Sequence, residues 1–357
     1  MSEGGVKVAV GRGAWHDEFA AALERRIRDG AAVEYDIVDI DAHDWLERIA
    51  PYDLVIWKGR FMGPELAGHY KDKVYFIEKV LGKVIVPGFA TVWHFESKVA
   101  QSYLFAHAGV ATPETVASLD YDDALGCLRQ ARYPIVVKRS HGASSANVKL
   151  VASESRAQKW LAKTFFQEMW DRHKAARDNR LSRVASAPWH GWFWPKVLQK
   201  LSRSGLNGVV YWQEFIGGND ADLRITVIGD RDAFGFWRRN RPGDFRASGS
   251  GLLDYETPIP EAAVRYCIGL NRRFGFDSMA YDLLFRGDDF VIVEMSYGYL
   301  DSAVFQAPGH YILGGDGRLL YEAGHMTPQE LWVDWALRKA YGAAHRAPEP
   351  TIEGDGS

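Results

Sequence analysis

Cysteine is almost absent. Cys127 and Cys267 are the only two in 357 residues, too few for a disulfide scaffold or a cysteine-rich zinc site, and their scarcity fits a reducing compartment. No apolar run approaches the roughly 18 residues that a membrane-spanning helix requires. The opening Met1–Gly5 leads into the short run Val6–Val10, too short for a signal-peptide core. An excess of one charge is missing as well: 43 Lys+Arg against 46 Asp+Glu leaves −3, so the whole-chain field points to neither nucleic acid nor a membrane. The phosphate-binding pattern G-x-x-x-x-G-K-[ST] does not occur. Gly11-Arg12-Gly13 lacks the third glycine of a dinucleotide loop, that position being His16. These absences lead us to expect a cytoplasmic protein with no nucleic-acid partner and no membrane span.

Bulk and aromatic rings are abundant. A chain this long, 47% apolar, can bury a large core and divide into about two domains. Strand signals at Val6–Val10, Val33–Ile40, Asp53–Trp57 and Val84–Val86 alternate with a helical pattern at Glu18–Arg28, which predicts a small parallel α/β layer over residues 1–92. From residue 93 the texture changes. Phe95–His107 has helical period and stops at Gly109. Tyr133–Lys138 and Val148–Val151 read as strands flanking a small-residue tip, and Ser155–Leu201 is mostly helical. Strands resume at Val209–Phe215, Leu223–Ile228, Ala233–Trp237, Met279–Phe285 and Phe290–Met295, with Gly229–Asp232 and Arg286–Asp289 as hairpin turns. A helix is predicted around Pro328–Tyr341, and 347–357 reads as a disordered tail.

Four features carry chemistry. Lys98 lies on the Phe95–His107 helix. Lys138 ends a buried strand just before Ser144 and Ser145. Gln213-Glu214-Phe215-Ile216 precedes Gly217–Arg224, which contains Asp222. Asp282 and Glu294 lie opposite each other on the last hairpin. Singly, each has a plain structural explanation: a solvated lysine, a paired carboxylate, a turn. In this order, and with Arg238-Arg239-Asn240-Arg241-Pro242-Gly243-Asp244-Phe245-Arg246 ahead of the carboxylate hairpin, the set resembles the ATP-grasp superfamily. It is most similar to the branch of glutathione synthetases and ribosomal-protein glutamate ligases (RimK-like), over about Ser97–Met295.

The resemblance implies an ATP-grasp fold behind a Rossmann-like α/β domain, with ATP and Mg²⁺ (or Mn²⁺) as cofactors. Lys98 and Lys138 would reach the phosphates, and the Ser144-Ser145 loop would close over them. Gln213, Glu214, Phe215 and Ile216 would hold adenine, and Asp222 the ribose. Asp282 and Glu294 would be the metal ligands, with Ser296 where the family usually has asparagine. Arg224, Arg239 and Arg246 are the candidates for stabilising developing charge, with Arg238 and Arg241 behind them. The implied reaction is carboxylate–amine ligation through an acyl phosphate, on a small metabolite, peptide or saccharide-linked acid. An ATP-grasp kinase acting on a hydroxyl and a non-catalytic nucleotide-gated binding protein are the alternatives.

The ATP-grasp part would span 93–312, with a lid over about 112–214 and a C-terminal helical segment at 313–346. The stretch between Lys138 and Gln213 is longer than this fold usually needs. Between Arg156 and Arg203, eleven Lys/Arg face only Glu168, Asp171 and Asp178, a net +8 inside a chain of −3. Trp160, Trp170, Trp189, Trp192 and Trp194 cluster there too, with Trp212 just beyond, beside Gln213. The helical part, 155–205, reads as an amphipathic insertion packing Trp160, Leu161, Phe165 and Met169 inward. The Trp189–Trp194 knot is expected to wall an acceptor pocket or to join two copies as a homodimer contact. His190 reads as a packing residue, and His310, in a loop after the carboxylate hairpin, reads as a structural residue or a contact to substrate.

Overall fold

The computed structural model describes residues 5–60, 64–139, 148–173, 193–203 and 208–344. The Ser144-Ser145 loop, residues 189–192 of the Trp189–Trp194 knot and the tail lie outside the described residues.

The first layer contains β1 (Val6–Gly11), α1 (His16–Arg28), β2 (Val33–Val38), α2 (Trp45–Ile49) and β3 (Leu54–Ile56). It continues with α3 (Pro64–Tyr75), which runs into a π-type turn at Phe76–Val80, and β4 (Val84–Val86). The strands pair in the order β2-β1-β3-β4, all parallel. Apolar runs suit strands covered on both faces, and Val8, Ala9 and Val10 are fully buried. Gly11 has a packing role: a Cβ there would lie 2.2 Å from the Trp57 ring.

After α4 (Phe89–Val92) and α5 (Lys98–Ala108), the lid forms a second unit. Ser97 caps α5 by accepting from the Ala100 N–H, and Gly109 ends it in the left-handed conformation (φ 63°). The lid comprises β5 (Thr115–Ser118), α6 (Tyr121–Gln130), β6 (Ile135–Lys138), β7 (Lys149–Val151), α7 (Glu154–His173), α8 (Phe193–Arg203) and β8 (Val210–Glu214). Its antiparallel sheet runs β5-β8-β6-β7. It has a core of its own: Tyr121, Leu128, Leu161, Phe165, Met169 and Leu198 are buried together, with Trp160 and Trp170 at the margin. The described part of the basic insertion is therefore amphipathic packing, as its periodicity predicts.

The third unit is a large antiparallel sheet. It is built from β9 (Ala221–Ile228), β10 (Asp232–Arg239), β11 (Leu253–Asp254), α9 (Glu261–Phe274), β12 (Ser278–Arg286) and β13 (Asp289–Ser296). After them come α10 (Asp301–Phe305), β14 (Gly309–Leu313), β15 (Leu319–Ala323) and α11 (Pro328–Ala344). The order is β13-β12-β9-β10-β14-β15, with β11 also on β10. Cys267 is buried where α9 covers this sheet.

Two expectations change here. Pro308–Tyr311 belongs largely to a strand, β14, where a loop is predicted. Its partner β15 is exposed along most of its length, so neither strand shows the alternation that marks a hairpin. The helical expectation for 313–346 holds only from Pro328, and that helix packs back on the first layer. Trp332 is fully buried against Trp15 and Phe19. Arg25 pairs with Glu330, and Arg26 reaches Asp334 at 2.5 and 2.9 Å. The parallel sheet and the large sheet thus share one apolar core.

His94, just before α5, is buried beside Phe276, and among the described residues neither ring nitrogen has a partner. Burial pushes its pKa down to about 3. In the unfolded chain it binds a proton near pH 6.5, so folding stability should fall as the pH drops from there towards 3. The variant His94→Leu is expected to flatten that limb of the curve, read as denaturant midpoints at successive pH values.

Candidate functional site

A cavity of about 550 Å³ lies between the lid and the exposed face of the large sheet. The lid contributes Val136, Lys138, Gln213 and Glu214, and the sheet contributes Asp222, Arg224, Arg238, Asp282 and Glu294. Strand register explains the gathering. Asp222 pairs directly with Arg238 across β9 and β10, Arg224 with Asp282 across β9 and β12, and Asp282 with Glu294 across β12 and β13. Alternation then sends all five side chains to one face.

Two lysines enter from opposite sides. Lys98 starts α5 and approaches Glu294 Oε1 at 3.2 Å. Lys138 ends β6 and donates to Gln213 Oε1 at 2.6 Å, while Gln213 donates to Thr115 Oγ1. Desolvation pushes the Lys138 amine below its usual value, partly offset by the Glu294 charge. Beyond β8, Phe215 meets Phe245 edge-on (5.8 Å, 86°) and Ile216 is buried. Glu214 is tied to Arg286 at 2.6 Å.

The centre is a chain of buried ion pairs. Arg238 is bidentate to Asp222, 2.6 Å on each arm, and its Nη2 also reaches Asp282 Oδ2 at 2.7 Å. Arg224 is bidentate to Asp282 at 2.8 and 2.9 Å. Buried charges survive only when paired like this. Although burial alone would raise it, the Asp282 carboxyl is held well below the usual range by Arg224 and Arg238.

The Gly-Asp-Phe-Arg segment forms the near wall. Gly243 adopts φ 74°, a left-handed turn that favours glycine. Arg246 grips Asp244 through three contacts of 2.6–3.0 Å and holds its carboxyl down at about 2. The Arg241 guanidinium donates to the Gly249 carbonyl and closes the segment.

Most of the sequence-selected residues therefore converge. Lys98, Lys138, Gln213, Glu214, Phe215, Ile216, Asp222, Arg224, Arg246, Asp282, Glu294 and Ser296 all line the cavity. Arg239 does not: it leaves the other face of β10 to pair with Asp254 at 2.6 Å, and Arg238 takes the inward position. Ser144 and Ser145 lie outside the described residues. Sequence reasoning passed over Asn219 as part of a turn. It lines the cavity and clamps the Phe285 backbone, donating to its carbonyl at 3.0 Å and accepting from its N–H at 2.9 Å.

The excess of inward-facing cations suits a polyphosphate. The donor set fits the expected metal cage less well, because both Asp282 oxygens are engaged by guanidinium groups and Ser296 Oγ accepts from the Gly298 N–H at 3.1 Å. Among the described residues no three acidic, His or Cys side chains form a metal-binding cluster.

A lid and a large antiparallel sheet enclosing a cation-lined cavity, behind a parallel α/β layer, is the ATP-grasp fold, and this chain has it. No protein-family model matches the sequence. Among solved structures, a RimK domain ATP-grasp protein from Sphaerobacter thermophilus aligns with TM-score 0.52 at 14% identity, over 93% of this chain and 99% of that one. D-alanine–D-alanine ligase from Bacillus anthracis, complexed with ATP, aligns with TM-score 0.52 at 11% identity, over 96% and 100%. A RiPP-associated ATP-grasp ligase from Chryseobacterium gregarium, in complex with ADP and a leader and core peptide, gives 0.54 at 13%, over 94% and 97%. In sequence, 186 residues are 23% identical to the α-aminoadipate–LysW ligase LysX of Saccharolobus solfataricus, covering 52% of this chain. The match spans 55% of that relative's length. No helix among the described residues is long and apolar enough to cross a membrane.

Replacing Arg238 would leave Asp222 and Asp282 buried with Arg224 as their nearest cation. We expect Arg238→Gln to lower stability by about 3–5 kcal/mol, measured by denaturant titration.

Proposed function

We propose that the protein is an ATP-dependent ligase that joins a carboxylate to an amine. The observation that carries this reading is the convergence of Lys98, Lys138, Arg224, Arg238 and Arg246 on one cavity beneath a lid. Such a cavity supplies the positive field that a transferring phosphoryl group needs, in a place where water screens it weakly. The relatives by fold, which include carboxylate–amine ligases, support the same reading.

The chemistry follows from the charges. An oxygen of the substrate carboxylate attacks the γ-phosphorus while the bond to the β-phosphate oxygen breaks, giving an acyl phosphate and ADP. The amine then attacks the acyl carbon, the carbon–oxygen bond to phosphate breaks, and the nitrogen sheds a proton as the amide forms. Negative charge builds on oxygen in both steps, where the guanidinium groups of Arg224, Arg238 and Arg246 stabilise it. Lys98 and Lys138 hold the phosphates from two sides. The end of β8 and the chain just beyond it, from Gln213 to Ile216, meet the base, and Asp222 lies on the ribose side. A divalent cation bound with the nucleotide would supply further neutralising charge. The acid is proposed to be a small metabolite, a peptide or a saccharide-linked group.

The test is product formation. A ligase forms ADP and phosphate only when both acid and amine are present. A stable phosphorylated product would make the protein a kinase, and ATP binding without turnover would make it a binding protein. Lys138→Ala should lower turnover by about 10²-fold or more with the melting temperature largely kept, and wild-type turnover in that variant would overturn the assignment.

A further inference from the structure

Asp282 and Glu294 face each other in register, an arrangement that ordinarily offers two carboxylates to a single cation. Their surroundings differ sharply. Asp282 is 5% exposed. Its Oδ1 accepts from Arg224 Nε at 2.8 Å, and its Oδ2 from Arg224 Nη2 at 2.9 Å and Arg238 Nη2 at 2.7 Å. A Mg²⁺ ion would need to approach one of these oxygens to about 2.0–2.1 Å, beside two guanidinium cations. Arg238 has little room to withdraw, because it is anchored to Asp222 on both arms and is 5% exposed itself. The Glu294 side chain is 37% exposed, and the ion partner shown for it is Lys98.

We propose that Asp282 is a positioning residue: it holds Arg224 and Arg238 as a paired guanidinium clamp for the transferring phosphoryl group, leaving Glu294 as the carboxylate that meets a divalent cation. The proposal rests on the nucleotide-binding reading of the cavity. Fixed by cross-strand register and by burial, the two guanidinium groups are preorganised, so they stabilise developing charge with little reorganisation. The clamp offers guanidinium N–H donors to the phosphoryl oxygens in the role a second metal ion would otherwise take, its own charge being balanced by Asp222 and Asp282.

The experiment is Mn²⁺ binding to the full chain in the presence of ADP, followed by electron paramagnetic resonance, alongside steady-state kinetics. The wild type should bind one Mn²⁺ per bound ADP. Glu294→Gln should weaken Mn²⁺ binding about 10-fold or more. Asp282→Asn should leave Mn²⁺ affinity and the KM for ATP unchanged and lower kcat by about 10²-fold, a split that a general loss of structure does not produce. Two Mn²⁺ per ADP in the wild type, or an Mn²⁺ defect in Asp282→Asn as large as that in Glu294→Gln, overturns the proposal. Should Asp282→Asn not fold, Asp282→Ser serves in its place: it too should keep the wild-type Mn²⁺ affinity, and a defect as large as that in Glu294→Gln overturns the proposal. Failure of the wild type to bind ADP would instead overturn the nucleotide reading, and the clamp with it.

Discussion

Arg238 sits between two carboxylates, and the working face of the large sheet depends on that placement. The Asp222–Arg238 and Arg224–Asp282 pairs join three neighbouring strands, β10, β9 and β12. A slip of one residue between any two of these strands would turn a charged side chain from the cavity towards the apolar core. The ion pairs therefore help to specify register, while burial under α9 supplies the driving force. This division of labour is familiar: buried charge pairs add little net stability, yet a misplaced member is costly. The same groups that align the strands are those that would meet a phosphate.

The lid follows a different logic. Its apolar core is separate from the one that joins the two sheets. A unit with its own core can rock as a body without disturbing the packing of its neighbour. The cavity walls belong to both bodies, with Lys138 and Gln213 on one and Arg224, Asp282 and Glu294 on the other. The Arg246 side chain lies between the two, held by Asp244 and 3.5 Å from the Val148 carbonyl of the lid.

Much of this was legible in the chain. Apolar runs marked the parallel strands, and the Gly229 and Gly287 turns marked two hairpins of the large sheet. The Gly-Asp-Phe-Arg segment picked out the wall of the cavity. What could not be read is what depends on neighbours distant in sequence. Arg238 and Arg239 are adjacent and alike, and only the phase of β10 decides which faces inward. That Asp282 is enclosed by guanidinium groups follows from register across three strands, which no local pattern encodes. The β14–β15 hairpin was missed because its second strand is exposed along most of its length and shows no alternation, and Asn219 was hidden in a turn whose composition is ordinary.

The return of α11 to the first layer has a consequence for biosynthesis. Roughly 240 residues separate Val86 from Pro328, so at about 5–20 residues per second the ribosome needs on the order of 12–50 s to deliver the helix that covers β1, β3 and β4. During that interval the surface awaiting Trp332 is open to solvent or to a chaperone, and a layer made well before this helix is completed only when it arrives.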